Sequence, residues 1–282
     1  MRCHTDEFFG IFRCHAAGNG THWRSCCHAG RIVSATDLHF SYSREQVMCD
    51  ANSLIYSDLR VEDAEDVVDF MAQHFYPREP LSTGLHMTYD DNKEWIHGSV
   101  REWVRSGASV VARDPATERL AGTILATVLT RDQSNTFEEA LKSPKTKVRT
   151  LHTVLSVLEA AVDFFSRYEK VDKVLELAMI TVPEEYSGRG VGRRLVQESE
   201  NRGLKLGCQL ATAQATAVPS QRLLYRLGYE SLYTMDYTTF EIAGDRVFDM
   251  DRMLGTPSAK VMAKIIDKDL KEKELDRLND AL

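Results

Sequence analysis

The 282-residue chain has no apolar stretch near the roughly 20 residues that a membrane span requires, so a membrane protein is not expected. It has no basic excess either: 35 Lys and Arg against 42 Asp and Glu give a formal net charge of -7. A nucleic-acid binder would need a basic face, and that class is set aside. The N-terminus carries no apolar core between charged and small residues, so a secretory leader is not expected. No Cys-x2-Cys pair exists, although five of the six cysteines (Cys3, Cys14, Cys26, Cys27, Cys49) and five of the nine histidines fall in the first 49 residues. Those intervals match no zinc spacing, so no metal is expected. Cysteines that avoid the periodic part of the chain suit reduced thiols and a cytoplasmic setting. Cys208 lies inside the periodic part and reads as a core residue. What is present is an ordinary globular balance, 43% hydrophobic and 27% charged.

Hydrophobic periodicity begins near residue 52. Leu54–Tyr56 with Leu59–Val61 read as a first strand. A helix follows with Ala64, Val67, Met71 and Phe75 at spacings of three and four, broken at Arg78-Glu79-Pro80-Leu81. Trp95, Ile96, Val100, Trp103 and Val104 mark a second helix. Val110–Ala112 and Ala121–Leu129 read as a hairpin, and Arg131–Lys147 as a polar loop. Leu151, Leu155, Leu158, Val162 and Phe165 predict one regular helix. Further on come a strand to Ala215, a short helix ending at Gly228, and a last strand from Tyr229 to Tyr237. Three segments are expected: a poorly ordered extension over 1–51, a folded domain over 52–256, and a charged C-terminal helix over 257–282 with Asp267–Lys271 and Asp269–Lys273 pairs.

The sharpest local pattern starts at Lys173. A mostly apolar strand, Val174–Val182, leads through Pro183 to Ser187, Gly188, Arg189, Gly190, Val191 and Gly192. A helix then starts, with Val191, Leu195 and Val196 on one side. Such a turn aims backbone N–H groups and the positive end of a helix dipole at one point, which suits an anion. The dinucleotide fingerprint fails because Arg193 stands where its third glycine belongs, and a Walker loop fails for want of Gly-Lys-Ser/Thr. An acyl-CoA pyrophosphate site and an ordinary tight turn remain.

Tyr186 to Leu195 resembles the signature of the GNAT superfamily of CoA-dependent N-acetyltransferases, with Ser187 where the first Arg or Gln usually stands. Glu79–Thr83, and Thr216–Arg222 running into Leu227-Gly228-Tyr229, look like the arylalkylamine N-acetyltransferase-like branch of arthropods and nematodes, with a weaker echo at Val261–Lys264. The resemblance implies an α/β (α+β) GNAT fold, a central mixed and mostly antiparallel sheet flanked by helices. It implies acetyl-CoA held by Ser187–Gly192, with the acyl carbonyl meeting the strand at Ile180, Thr181 and Val182. Arg189, Arg193 and Arg194 would add charge-assisted bonds to phosphate.

Glu79 would be the general base that frees the amine lone pair; without the resemblance it reads as an exposed turn glutamate. Thr216 and Ser220 match two serines of the branch, and Ser220 suits either a place by the thioester or a helix N-cap. The superfamily's usual acid, a tyrosine, is replaced by Leu224, and Tyr225 sits about 100° away around the helix. Asp90, Asp91, Glu184 and Glu185 are expected beside a cationic acceptor. The expectation is a monomeric enzyme that acetylates a primary amine, an arylalkylamine among the options, by direct transfer. The alternative is a non-catalytic CoA-binding module.

Overall fold

A computed structural model describes residues 53–132 and 138–272, the side chains of 138 and 139 excepted. The expected N-terminal extension, its cysteines and the Lys273 pair lie outside the described residues. In chain order the elements are β1 (Ile55–Asp58), α1 (Ala64–His74), α2 (Pro80–Gly84), α3 (Tyr89–Arg105), β2 (Val110–Arg113), β3 (Leu120–Thr130) and α4 (Glu138–Leu141). They continue with α5 (Thr146–Ala160), α6 (Phe164–Arg167), β4 (Lys173–Thr181), α7 (Val191–Lys205), β5 (Leu210–Ala215) and α8 (Val218–Arg226). β6 (Glu230–Asp236), the small hairpin β7 (Glu241–Ile242) and β8 (Asp245–Arg246), and β9 (Ser258–Ile265) complete the described elements.

Seven strands form one sheet in the order β1-β2-β3-β4-β5-β9-β6. Every neighbouring pair is antiparallel except β4–β5, so the sheet is mixed and mostly antiparallel as expected. One cluster gathers Val191, Leu195 and Val196 of α7 with Ile124 and Ala126 of β3, Leu175 of β4 and Ala211 of β5. Another joins Val67 and Met71 of α1, Ile96 and Val100 of α3, and Val111 and Leu125 of the sheet. Each of these side chains is at most 1% exposed, and burying one of the Val, Leu, Ile or Met side chains contributes about 1.5–3 kcal/mol. The amphipathic spacings read in the sequence are therefore the packed faces of α1, α3 and α7.

Several boundaries differ from expectation for identifiable reasons. Residues Val61–Asp63 are a 3-10 turn, not strand, because the Asp63 carboxylate accepts the Arg60 N–H. The helix expected through Phe165 stops at Ala160; the Asp163 carboxylate caps a separate turn by accepting from Ser166 N–H. The largest correction concerns the expected C-terminal charged helix over 257–282. Ser258–Ile265 is instead an inner strand between β5 and β6, and only residues 268–272 of the described part are helical. Lys264 hid the strand pattern. Its ammonium bonds both oxygens of the Glu200 carboxylate at 2.9 and 2.8 Å, and the buried Tyr229 hydroxyl also donates to Glu200.

The feature that positions the site is a defect in β4. Leu125 pairs with Met179 and Ala126 with Leu177, which leaves Ala178 as an extra residue. The parallel β4–β5 ladder reaches only to Glu176 opposite Thr212. Beyond that point the two strands part, and a bulge of this kind bends and re-aims the strand that carries it.

Candidate active site

Two cavities meet at the parting strands. The larger, about 750 Å³, is lined by Ile180, Thr181 and Val182 of β4, Ala213–Thr216 at the end of β5, and Ser187, Gly188, Gly190, Val191 and Gly192 of the turn into α7. Gly190 is the N-cap of α7 at φ 84, and Gly188 has φ 74; both values are strained for any residue with a Cβ. No side chain caps α7, so the N–H groups of its first turn keep their capacity to meet an anion.

The three arginines of the motif separate. Arg193 lines this cavity, whereas Arg189 lies over the Tyr186 ring at 5.7 Å and Arg194 pairs with Glu198 at 2.7 Å. Arg189, expected as a CoA ligand, is thus not among the lining residues. Sequence reasoning missed Arg78 and Arg226, which do line it. Arg78 donates to the carbonyls of His74 and Val182, tying the segment that carries Glu79 to the end of β4.

The smaller cavity, about 450 Å³, is walled by residues of α2, α3 and α5, among them Leu81, Trp95, Trp103 and Leu155, with Tyr76 beside them. Its charged lining is entirely acidic among the described residues: Glu79, Glu102, Asp132 and Glu176, with no Lys, Arg or His. The larger cavity reverses this, with His74, Arg78, Arg193 and Arg226 against Glu79 alone. Asp90, Asp91, Glu184 and Glu185, expected beside an acceptor, line neither cavity. Asp91 accepts the Thr88 N–H and caps α3 instead.

Glu79 and Thr216 line both cavities. Glu79 is 6% exposed, which removes the exposed-turn reading. The sequence Glu-Pro explains its position: Pro80 starts α2 with its fixed φ, and Glu79 becomes the N-cap. Its Oε1 accepts from Leu81 N–H at 3.0 Å and from the Thr216 hydroxyl at 2.9 Å. Its Oε2 accepts from Ser82 N–H at 2.6 Å and the Ser82 hydroxyl at 2.9 Å.

Burial drives the Glu79 pKa up, and these four donors pull it down; burial prevails and the carboxyl sits above its usual range. Thr216 is itself fixed through its carbonyl, which accepts from the buried Tyr237 hydroxyl at 3.0 Å. Ser220 lines the larger cavity but is not an N-cap. Ala217 holds that position, and the Ser220 hydroxyl donates to its carbonyl at 2.8 Å. Leu224 is buried and Tyr225 is 75% exposed, so Tyr225 takes no part in the site. Cys208 is buried at 1% exposure with its thiol pushed up to about 11, a core residue just ahead of β5. No group of metal-ligating side chains occurs among the described residues.

A seven-stranded mixed sheet, opened at a β4 bulge beside a glycine-capped helix, defines a class of CoA-dependent acyl-transfer fold. Residues 71–229, more than half of the chain, match the acetyltransferase (GNAT) family model. The chain belongs to the GNAT family and is by class an N-acetyltransferase, an enzyme group that uses acetyl-CoA as co-substrate. No curated protein sequence matches it. Among solved structures it is similar to arylalkylamine N-acetyltransferase 2 from Aedes aegypti, at 21% identity over 77% of this chain and 100% of that one, with a TM-score of 0.70. It is also similar to the Drosophila melanogaster polyamine N-acetyltransferase that forms N-acetylagmatine, at 27% identity over 75% and 99%, with a TM-score of 0.66. A mosquito arylalkylamine N-acetyltransferase-like protein (5b) aligns at 24% identity over 76% and 100%, with a TM-score of 0.66.

Proposed function

We propose that this protein moves an acetyl group from acetyl-CoA directly to the nitrogen of a primary amine, with Glu79 as base and the Thr216 hydroxyl as the carrier of its proton. The observation behind this reading is the meeting of an arginine-lined cavity and a wholly acidic one at Glu79 and Thr216. A phosphate-bearing donor suits the first, a cationic amine the second, and their reacting atoms would meet at the shared wall. The residues present fit the donor: α7 offers its uncapped N-terminus and Arg193 to the pyrophosphate, while β4 beyond its bulge offers backbone to the pantetheine and acyl group.

The role of Thr216 follows from counting lone pairs. A carboxylate has about four acceptor sites, and the four donors around Glu79 use that capacity. An amine therefore has no open Glu79 site to donate to while both hydroxyls keep their places. Thr216 lines both cavities while its hydroxyl proton points at Oε1. The ammonium first gives its extra proton to water; as the neutral amine nitrogen then attacks the acetyl carbonyl, one N–H proton passes to the Thr216 oxygen and the Thr216 proton passes to Glu79. When the carbon–sulfur bond breaks, the same two steps in reverse protonate the departing thiolate. A raised Glu79 pKa suits both directions, because a carboxylate held above its usual range takes up a proton more readily and can still return it.

The alternative, a CoA-binding module without turnover, leaves the buried Glu79–Thr216 pair and the acidic cavity without a purpose. Thiol release from acetyl-CoA with a panel of primary amines tests the reading. Release with none of them, in a protein that binds acetyl-CoA, would reject it.

A further inference from the structure

The acidic cavity extends beyond the reacting point, and its lining holds unpartnered acceptors. Glu176, on β4 opposite Thr212, lines the cavity with no hydrogen-bond or ion-pair partner among the described residues. Asn92 is 3% exposed, and its Oδ1 has no partner although its amide donates to the Tyr76 hydroxyl. Gln214 Oε1 is likewise buried and unbonded. The two buried acceptors without donors, on Asn92 and Gln214, cost about 1–3 kcal/mol each, so a ligand rich in N–H groups would relieve both and could pair with the Glu176 carboxylate as well. A hydrophobic ring would relieve none.

Resting on the acetyl-transfer reading above, we propose that Glu176 selects the acceptor by binding a second positive charge, so that the preferred substrate is a dication: a linear diamine or an amine bearing a distal cation. The geometry supplies a length. Thr216 lies four residues along from Thr212, the level of Glu176, which is about 13 Å at strand rise. Strand side chains stand roughly perpendicular to the sheet, so the separation carries over to their tips. A hydrogen bond of about 3 Å at each end leaves about 7 Å between the two nitrogens. A saturated chain of about five carbons has that reach. The Trp95 and Trp103 walls would flank its methylenes.

Electrostatics agree. Burial and the neighbouring Glu159 of α5 push the Glu176 carboxyl up to about 7, the behaviour of an acid whose cation is missing, and Glu159 Oε2 is itself buried without a partner.

The experiment compares cadaverine, pentylamine and phenethylamine as acceptors for the full-length protein with acetyl-CoA, in the wild type and in Glu176→Gln. Cadaverine and pentylamine share length and first amine, so their kcat/KM ratio isolates the second charge. The wild-type ratio is expected to favour cadaverine by about 10- to 100-fold, the worth of one hydrogen bond to a charged group. Glu176→Gln should bring that ratio close to one. A wild-type ratio near one, a preference for phenethylamine over cadaverine, or an equal loss for both alkylamines in Glu176→Gln would each overturn the inference. Should none of the three release thiol, acetyl transfer to such amines fails as a reading, and calorimetry decides the rest. Cadaverine binding that weakens in Glu176→Gln sustains the dication site, and its absence refutes it.

Discussion

Replacing Glu79 by Gln changes the smallest number of atoms at the point where the two cavities meet. The carboxylate accepts four hydrogen bonds, two at each oxygen. An amide keeps one oxygen, so whichever way it turns, two of the four donors face an NH2 group. Each buried donor left unsatisfied costs about 1–3 kcal/mol, which sets the loss of stability at about 2–6 kcal/mol before the hydroxyls rotate away. Relief of a buried charge offsets part of this, since burial already holds the pKa high.

The catalytic loss is separate. Without the base, kcat/KM should fall by about 10²–10⁴. The acidic limb of the pH–rate profile should vanish, because the wild-type rate rises as Glu79 loses its proton. Acetyl-CoA affinity, measured by calorimetry, should survive, since the α7 turn and Arg193 do not touch Glu79. Thiol release below the melting temperature of the variant reads the chemistry. A folded Glu79→Gln protein with near-normal kcat and a raised, salt-sensitive KM for the amine would refute the base and leave Glu79 as a site of cation steering.

Thr216→Val should cost about 10- to 100-fold in kcat at little cost in acetyl-CoA affinity, whereas Thr216→Ser should retain most activity; equal rates for the two variants would remove the relay. Gly190→Glu puts a carboxylate at the α7 N-cap and a Cβ at φ 84, and should abolish CoA binding; unchanged affinity in a folded protein would displace the site. Glu176 is an acid raised from 4.5 to about 7, so its protonated form favours the fold below pH 4.5, and that stability is lost as pH rises through 7. Glu176→Gln should therefore stabilise the fold at pH 8, by at most roughly 3 kcal/mol and less for the solvent that reaches this half-buried side chain, and so raise the melting temperature there with little change at pH 4. A lower melting temperature at pH 8 would contradict the linkage.

The helices α1, α3 and α7 and strands β2 to β5 were legible in the sequence because each buries one face or both, and burial writes a period into the chain. Lys264 defeated that logic by entering the sheet with its charge matched by Glu200, some 64 residues away. The α7 turn was legible because its glycines serve a local backbone demand. The Glu79–Thr216 contact spans 137 residues, and no local pattern records it; the family resemblance named both residues without their bond. Glu176 had a visible signal, an acid between Leu175 and Leu177 in an apolar strand, yet its meaning depends on the cavity that α2, α3 and α5 build above it. The motif arginines were ambiguous in principle, since a charged side chain at a helix start can meet phosphate, a ring or the next turn.

The order β5-β9-β6 has a consequence for how the molecule is made. β6 pairs with no strand of this sheet but β9, and β5 has no second neighbour until β9 arrives. Synthesis at about 5–20 residues per second delivers β6 first, so for a second or more its edge has no partner and invites pairing with another chain. Thr216, just beyond the end of β5, is held partly through this late strand: the Gln221 side chain of α8 bridges the Ala215 and Ser258 carbonyls. The last of the described strands to emerge is thus the one that closes the sheet around the reaction centre, and a nascent chain stalled before Ser258 carries every residue of the proposed chemistry without the scaffold that aligns it.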